Sequence, residues 1–295
     1  MSGAAARKVR WEEMFPEELM QAIEACPVCY AAFGLAEPHG AYNAIGLDWL
    51  KAQALLERAA LTHAGVVAPP CAWHVAEAPH LPWVYLMGVK QPLCSSIPAD
   101  LFLRLALYVV RAIDARGFHA AILVSGHYGG LEVDLRLVCE YYLRRSGSPL
   151  RLWAGGDWEL IRFENYRGDH AGICETAQLM ALRPGLTDLA RTDEAAAHGP
   201  WIGRKFPLPD GRMPSPELGE RIVNSQIERL GEIQRELLAG YRPREGWRGP
   251  SLAETEDVWN RFEKLTRKYW IMSMTWDEYT KNQRVPFPGW EALGE

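Results

Sequence analysis

The sequence predicts an α/β fold built on a mainly parallel sheet, and three observations carry that expectation. Val28 to Leu35 and His119 to Val124 are continuous apolar runs, not alternating ones, as suits strands covered on both faces. They alternate with long stretches whose apolar residues recur at helical spacing, the pattern of parallel βαβ units. The second run leads directly into Ser125-Gly126-His127-Tyr128-Gly129-Gly130, and doubly wound sheets put their ligands at glycine-rich turns of this kind.

Residues 11–25 read as a short amphipathic helix, with Trp11, Met14, Phe15, Leu19 and Ile23 on one face. The run Val28 to Leu35 then delivers Glu37 and His39 at its carboxyl end. These residues are two apart, so on an extended chain they project to the same side. Asp48 opens a periodic stretch (Leu50, Ala54, Leu55, Ala59, Leu61) and is placed as its helix N-cap. One strand end and one helix start would thus present a carboxylate, an imidazole and a second carboxylate to a single point, the outline of a divalent-metal nest.

Gly65 to Ala68 reads as a second strand, followed by a long irregular segment, 71–97, holding Trp73, His74, His80 and Trp83. Loops of that length are usually functional or face a partner. Asp100 is expected to cap a helix through Ala115 that Arg116-Gly117 ends, before the strand His119 to Val124. A helix over about 131–145 and a strand from Leu150 to Ala154 follow. The segment Gly168-Asp169-His170-Ala171-Gly172-Ile173-Cys174-Glu175-Thr176 then enters a helix reaching Leu182, with His170 and Glu175 about one turn apart near its start. Residues 183–216 read as an extended loop and 217–240 as a long helix.

The chain after Tyr241 carries five of the twelve tryptophans, with a helix expected near 253–268. So aromatic a segment exposes too much apolar area for a free arm. The expected division is a main α/β domain over 1–242 and an extension, 243–295, packing on that domain or on a neighbouring subunit.

A formal net charge of −5 and the lack of a clustered basic run argue against nucleic acid or an anionic membrane surface as partner, and favour a small-molecule substrate. Met1 to Arg10 lacks the apolar core of a secretion signal, and the most apolar helix is interrupted by Arg104 and Arg111. A cytoplasmic location is expected. Six cysteines in so long a chain are no disulfide framework, and Cys26-Pro27-Val28-Cys29 lacks the second pair a zinc ribbon needs. His63, His74, His80, His119 and His198 have no partner spacing around them and read as surface or packing histidines. Glu132 and Asp134 could approach the turn, but their helical setting favours solvated or capping roles.

The remaining candidates, in order, are Glu37, His39, Asp48, His127, His170 and Glu175. Carboxylate oxygens mixed with imidazoles suit Zn²⁺, Mn²⁺ or a related ion. Their order and spacing resemble the creatininase (creatinine amidohydrolase) family, with its E-x-H-G segment, an Asp nine residues after the His, a later G-H-[YG] turn and H-A-G-x-x-E-T. The resemblance spans roughly residues 11–240. It implies a three-layer α/β/α sandwich and a two-metal hydrolase site in which Glu37, His39, Asp48 and His127 are ligands and Asp48 is shared. It further implies His170 as the proton-transfer residue and Tyr128 as a catalytic-pocket residue contacting substrate. Trp153 follows the same logic as a substrate-pocket aromatic, or else belongs to the core.

The sequence departs from the family pattern in places. The glutamate ligand two residues after the turn histidine is Gly129 here, which leaves one ion short of a ligand, and Glu175 is the nearest substitute. The usual H-G-x-H-L-P reads His39-Gly40-Ala41-Tyr42-Asn43-Ala44, and the usual Asn before Gly-His is Ser125. The resemblance implies hydroxide on the metal attacking the carbonyl of a small, cyclic amide-like substrate. Ring-opening C–C hydrolysis of a cyclic diketone such as a dehydro-inosose is the close alternative. A non-catalytic metal-binding scaffold is a third reading, and His170 speaks against it because a structural site needs no proton shuttle. Two ions, zinc or manganese, and a homo-oligomer, a hexamer by resemblance, complete the expectation.

Overall fold

The computed structural model describes residues 7–75, 94–128, 130–163, 168–193, 203–274, 278 and 281–295. Four parallel strands form one sheet in the order β2-β1-β3-β4: β1 (Val28–Phe33), β2 (Val66–Val67), β3 (Ala120–Ser125) and β4 (Arg151–Gly156). Val28 pairs with Ala120 through to Phe33 with Ser125, and Ala120 with Arg151 through to Ser125 with Gly156. Every residue of β1 and β3 is buried, which accounts for their unbroken apolar runs.

Among the described residues seven α-helices accompany the sheet: α1 (Pro16–Ala25), α2 (Leu47–His63), α3 (Ala99–Ala115), α4 (Glu132–Ser146), α5 (Ile173–Leu182), α6 (Pro216–Gly240) and α7 (Leu252–Thr266). Alternate strand residues feed two cores. Tyr30, Ala32, Ile122 and Val124 pack with Leu55 and Ala59 of α2 and with Val223, Leu230 and Ile233 of α6. Cys29, Ala31, Phe33 and Leu123 pack on the other side with Phe102 and Leu107 of α3, Val138 of α4 and Phe262 of α7. The result is a three-layer α/β/α sandwich. Strand order reverses between β1 and β3, so the crevice at their carboxyl ends is the topological switch point where such sheets bind ligands.

Several boundaries differ from the sequence reading for local reasons. The first helix splits into a 3₁₀ turn, Trp11–Glu13, and α1, because Pro16 suits the first helical turn and Glu18 accepts the N–H of Phe15. Asp48 lies inside the first turn of α2, whose N-cap is Gly46, so its carboxylate is free for another role. Asp100 likewise sits within α3, capped by Pro98. Cys26 and Cys29 are free thiols, Cys29 wholly buried in β1.

The segment after residue 242 covers the α3/α4 face of its own chain. Asp114 of α3 accepts bonds from Trp247 Nε1 (2.7 Å) and the Tyr142 hydroxyl (2.6 Å). Trp259, Phe262 and Trp270 are buried in that core, and Trp290 lies 4.9 Å from Tyr141, ring centre to ring centre. Asp134 of α4 accepts the Met272 N–H at 2.8 Å, and burial pushes its carboxyl up to about 7 despite the backbone donors. Trp276, Trp83 and His80 lie outside the described residues.

Candidate metal centre

Two close backbone approaches assemble the site. A Cβ on Gly34, just past β1, would stand 2.4 Å from the Trp49 nitrogen of α2. A Cβ on Gly126, just past β3, would stand 2.1 Å from the Asp48 carbonyl oxygen. Only glycine lets both strand ends close on the first turn of α2. That closure brings Asp48 against both His39 and His127.

The Asp48 carboxylate faces the two imidazoles with separate oxygens: Oδ1 lies 3.0 Å from His39 Nε2 and Oδ2 lies 3.1 Å from His127 Nδ1. Glu37 Oε1 is 3.1 Å from His127 Nδ1, and Glu175 Oε2 is 3.6 Å from His39 Nε2. Donor atoms of Glu37, Asp48 and His127, and separately of His39, Asp48 and Glu175, fall within 4.8 Å of one another, as do those of Glu37, His39 and His170. The third ring of the cluster, His170, stacks on His39 with centroids 4.5 Å apart, and its Nδ1 is 3.7 Å from Glu37 Oε1.

Backbone carbonyls fix which nitrogen each ring offers. His39 Nδ1 donates to the Glu37 carbonyl at 3.0 Å, so Nε2 is the nitrogen that faces Asp48 and Glu175. His170 Nε2 donates to the Pro38 carbonyl at 3.1 Å, which leaves Nδ1 as the acceptor on the cluster side.

Electrostatics favour a cation here. Burial alone would lower the His39 pKa, but Asp48 and Glu175 raise it to about 9; for His127, Glu37 and Asp48 overcome the same penalty and raise it to about 10. Burial opposes ionisation of Asp48, yet the two imidazoles hold its carboxyl well below the usual range. A field that keeps two buried histidines protonated also favours a divalent ion, which would displace those protons. Buried His39 Nε2, His127 Nε2 and Asp48 Oδ2 make no hydrogen bond with described residues, and a donor set of hard oxygens and imidazoles suits zinc or manganese. The residues therefore fit a metal.

His170 has the opposite character. Burial and the neighbouring His39 charge lower its pKa, so it is neutral near pH 7. Its side chain is 37% exposed, against 14% for Glu37 and 1% for His39 and Asp48. His170 is thus the most solvent-accessible of these side chains.

Around this group Tyr128 donates from its hydroxyl to the Asp169 carbonyl at 2.8 Å, and it also lies 3.3 Å from Glu175 Oε1. The Asp169 carboxylate in turn accepts the N–H groups of Cys174 and Glu175, fixing the start of α5. Trp153 sits in the middle of β4, partly buried against the α2/α6 core. Gly129 lies outside the described residues.

Two participants, Lys51 and Asp157, escaped the sequence reading, while His74, read there as a surface or packing histidine, is a packing one; each of the three is 1% exposed. Lys51 Nζ pairs with Glu175 Oε1 and lies 3.3 Å from Asp157 Oδ2. His74 packs edge-on to the His127 ring at 5.0 Å and against Phe102 at 3.8 Å. Lys51 lies three residues after Asp48 on the same inward face of α2, a placement that becomes visible only once the helix is packed.

A parallel α/β/α sandwich with clustered carboxylates and imidazoles at its switch point has the form of a metal-dependent hydrolase. Residues 12–233 match the family model described as "Creatininase: Creatinine amidohydrolase", and the chain belongs to the creatininase family of metal-dependent amidohydrolases. Solved structures similar in fold include a manganese creatininase (19% identity, TM-score 0.64, covering 80% of this chain and 100% of that one). A mutant creatininase of the Zn-Zn type aligns at 20% identity and TM-score 0.63, over 80% of this chain and 100% of its own. Another mutant, complexed with creatine, aligns at 20% identity and TM-score 0.63, over 78% of this chain and 98% of its own. No curated protein matches the sequence. No helix among the described residues is long and apolar enough to cross a membrane.

Proposed function

We propose that the chain hydrolyses a small, cyclic amide-like molecule at a two-ion centre. Glu37, Asp48 and His127 would hold one ion, His39, Asp48 and Glu175 the other, with Asp48 shared. The observation that carries this reading is the Asp48 carboxylate, each of whose oxygens faces a different imidazole, at 3.0 and 3.1 Å. Glu175 supplies the carboxylate that the family places at the position of Gly129.

Divalent ions at such a centre acidify water and polarise a carbonyl oxygen. The chain's own residues do the rest. His170, neutral and held by the Pro38 carbonyl, accepts a proton at Nδ1 and returns it to the leaving nitrogen. Tyr128 walls the pocket beside Glu175, and its bond to Asp169 keeps the ring in place. The depth of Asp48 and His39 keeps bulk water from the shared carboxylate.

The test joins elemental analysis of the purified chain with assays on creatinine, other lactams and cyclic amidines, formamides and cyclic diketones. Metal-dependent turnover of a cyclic amide supports the proposal. Turnover of a cyclic diketone alone would move the bond cleaved from C–N to C–C, and a metal-loaded protein inert on the whole panel would favour a binding role.

A further inference from the structure

Lys51 stands beside the proposed second ion position. It lies three residues beyond Asp48 on the same face of α2, is 1% exposed, and carries its ammonium into the space between α2, α5 and the end of β4. Nζ donates to Glu175 Oε1, lies 3.3 Å from Asp157 Oδ2, and sits 4.7 Å from the centre of the Tyr128 ring. Glu175 Oε2, the other oxygen of the same carboxylate, accepts the Ala171 N–H at 2.8 Å and faces His39 Nε2 at 3.6 Å.

One carboxylate is therefore shared between a resident ammonium and the position where a divalent ion would bind. Two cations on opposite oxygens of one buried carboxylate repel, and little water is present to screen them. Asp157 offsets part of that charge: it is 1% exposed, and neither of its oxygens has a hydrogen bond beyond the Lys51 ion pair among the described residues. In the group of Glu37, Asp48 and His127 the Lys51 charge acts only on the shared Asp48, and among the described residues no lysine pairs with Glu37 or His127.

We infer that Lys51 makes the two metal positions unequal, so that the Glu37/Asp48/His127 position holds its ion firmly while the His39/Asp48/Glu175 position binds weakly and exchanges. The inference rests on the two-ion reading above. It gives Lys51 a task that a packing role would not: it sets how the second position fills with free metal concentration. Asp157 acts in the opposite sense, by drawing off part of the ammonium's charge.

The test is calorimetric titration of the chelator-treated full chain with Mn²⁺, with bound ions counted by elemental analysis, for wild type, Lys51→Met and Asp157→Asn. Methionine keeps the length of the lysine stem, and circular dichroism checks each fold. The expected result is that Lys51→Met tightens the weaker site at least tenfold and leaves the tighter one unchanged, while Asp157→Asn weakens the weaker site. A wild type binding one ion and a Lys51→Met variant binding two is the same result at lower affinity. A second site unchanged or lost in Lys51→Met would overturn the inference and leave the metal centre standing. Should that variant fail to fold, Asp157→Asn decides alone: an unweakened second site refutes the role of Lys51. Absence of any Mn²⁺ binding in wild type would remove the metal reading itself, and this inference with it.

Discussion

At the scale of single residues, Asp48 and His170 define the division of labour. Asp48 has no exposed surface to spare and touches both imidazoles, whereas His170 is the most open member of the cluster and the one held neutral. His170→Asn should therefore keep the fold and the full metal content while kcat falls by about 10²–10⁴, the usual cost of losing a positioned acid or base. Metal analysis beside steady-state kinetics checks this. Loss of an ion would make His170 a ligand, a role its closeness to Glu37 and His39 also permits. Glu175→Gln should lower the content of one ion per subunit; two ions bound with unchanged affinity would make Glu175 an orienting group for its neighbours. The residues that sequence spacing could find were those marked by motif, Glu37, His39, Asp48, His127, His170 and Glu175. Lys51 and Asp157 were not legible, because a lysine in a helix and an aspartate after a strand read as solvated until tertiary packing buries them against each other.

At the scale of elements, the site depends on how closely β3 and α2 meet. Gly126→Ala places a methyl 2.1 Å from the Asp48 carbonyl, backbone that cannot move without moving the Asp48 carboxylate. Loss of metal binding and a destabilisation on the order of 1–3 kcal/mol are expected, measurable by elemental analysis and denaturant unfolding. The continuous runs of β1 and β3 were legible because burial on both faces removes polar residues. Helix starts were not: Asp48 and Asp100 both resembled caps, but Gly46 and Pro98 hold those positions and each aspartate is the second residue of its helix. In α4, Asp134 anchors the Met272 backbone with a carboxyl pushed up to about 7. An acid whose pKa is higher folded than unfolded takes up a proton on folding. Its contribution is thus fully present below about 4, the unfolded value, and is lost as pH rises to about 7. Thermal unfolding between pH 4 and 7 should show stability falling across that window through this group, and Asp134→Asn should flatten the slope. An unchanged slope in the variant would assign the pH dependence to other groups.

At the scale of the whole molecule, the aromatic segment after residue 242 closes over α3 and α4, through Trp247 on Asp114 and Trp290 on Tyr141. Its composition made burial legible, but not the surface it would cover, since tryptophan spacing carries no information about partners. We expect a homo-oligomer with residues 243–295 among its contacts. Light scattering at micromolar concentration gives the mass, and a monomer would refute it. The proposed chemistry requires a divalent ion held at the carboxyl ends of β1 and β3. Anomalous diffraction at the zinc and manganese edges locates such an ion. A peak about 2.0–2.3 Å from donor atoms of Glu37, Asp48 and His127 is the predicted result. A metal-supplemented crystal with no anomalous peak among those side chains, or with its metal bound elsewhere, would contradict it.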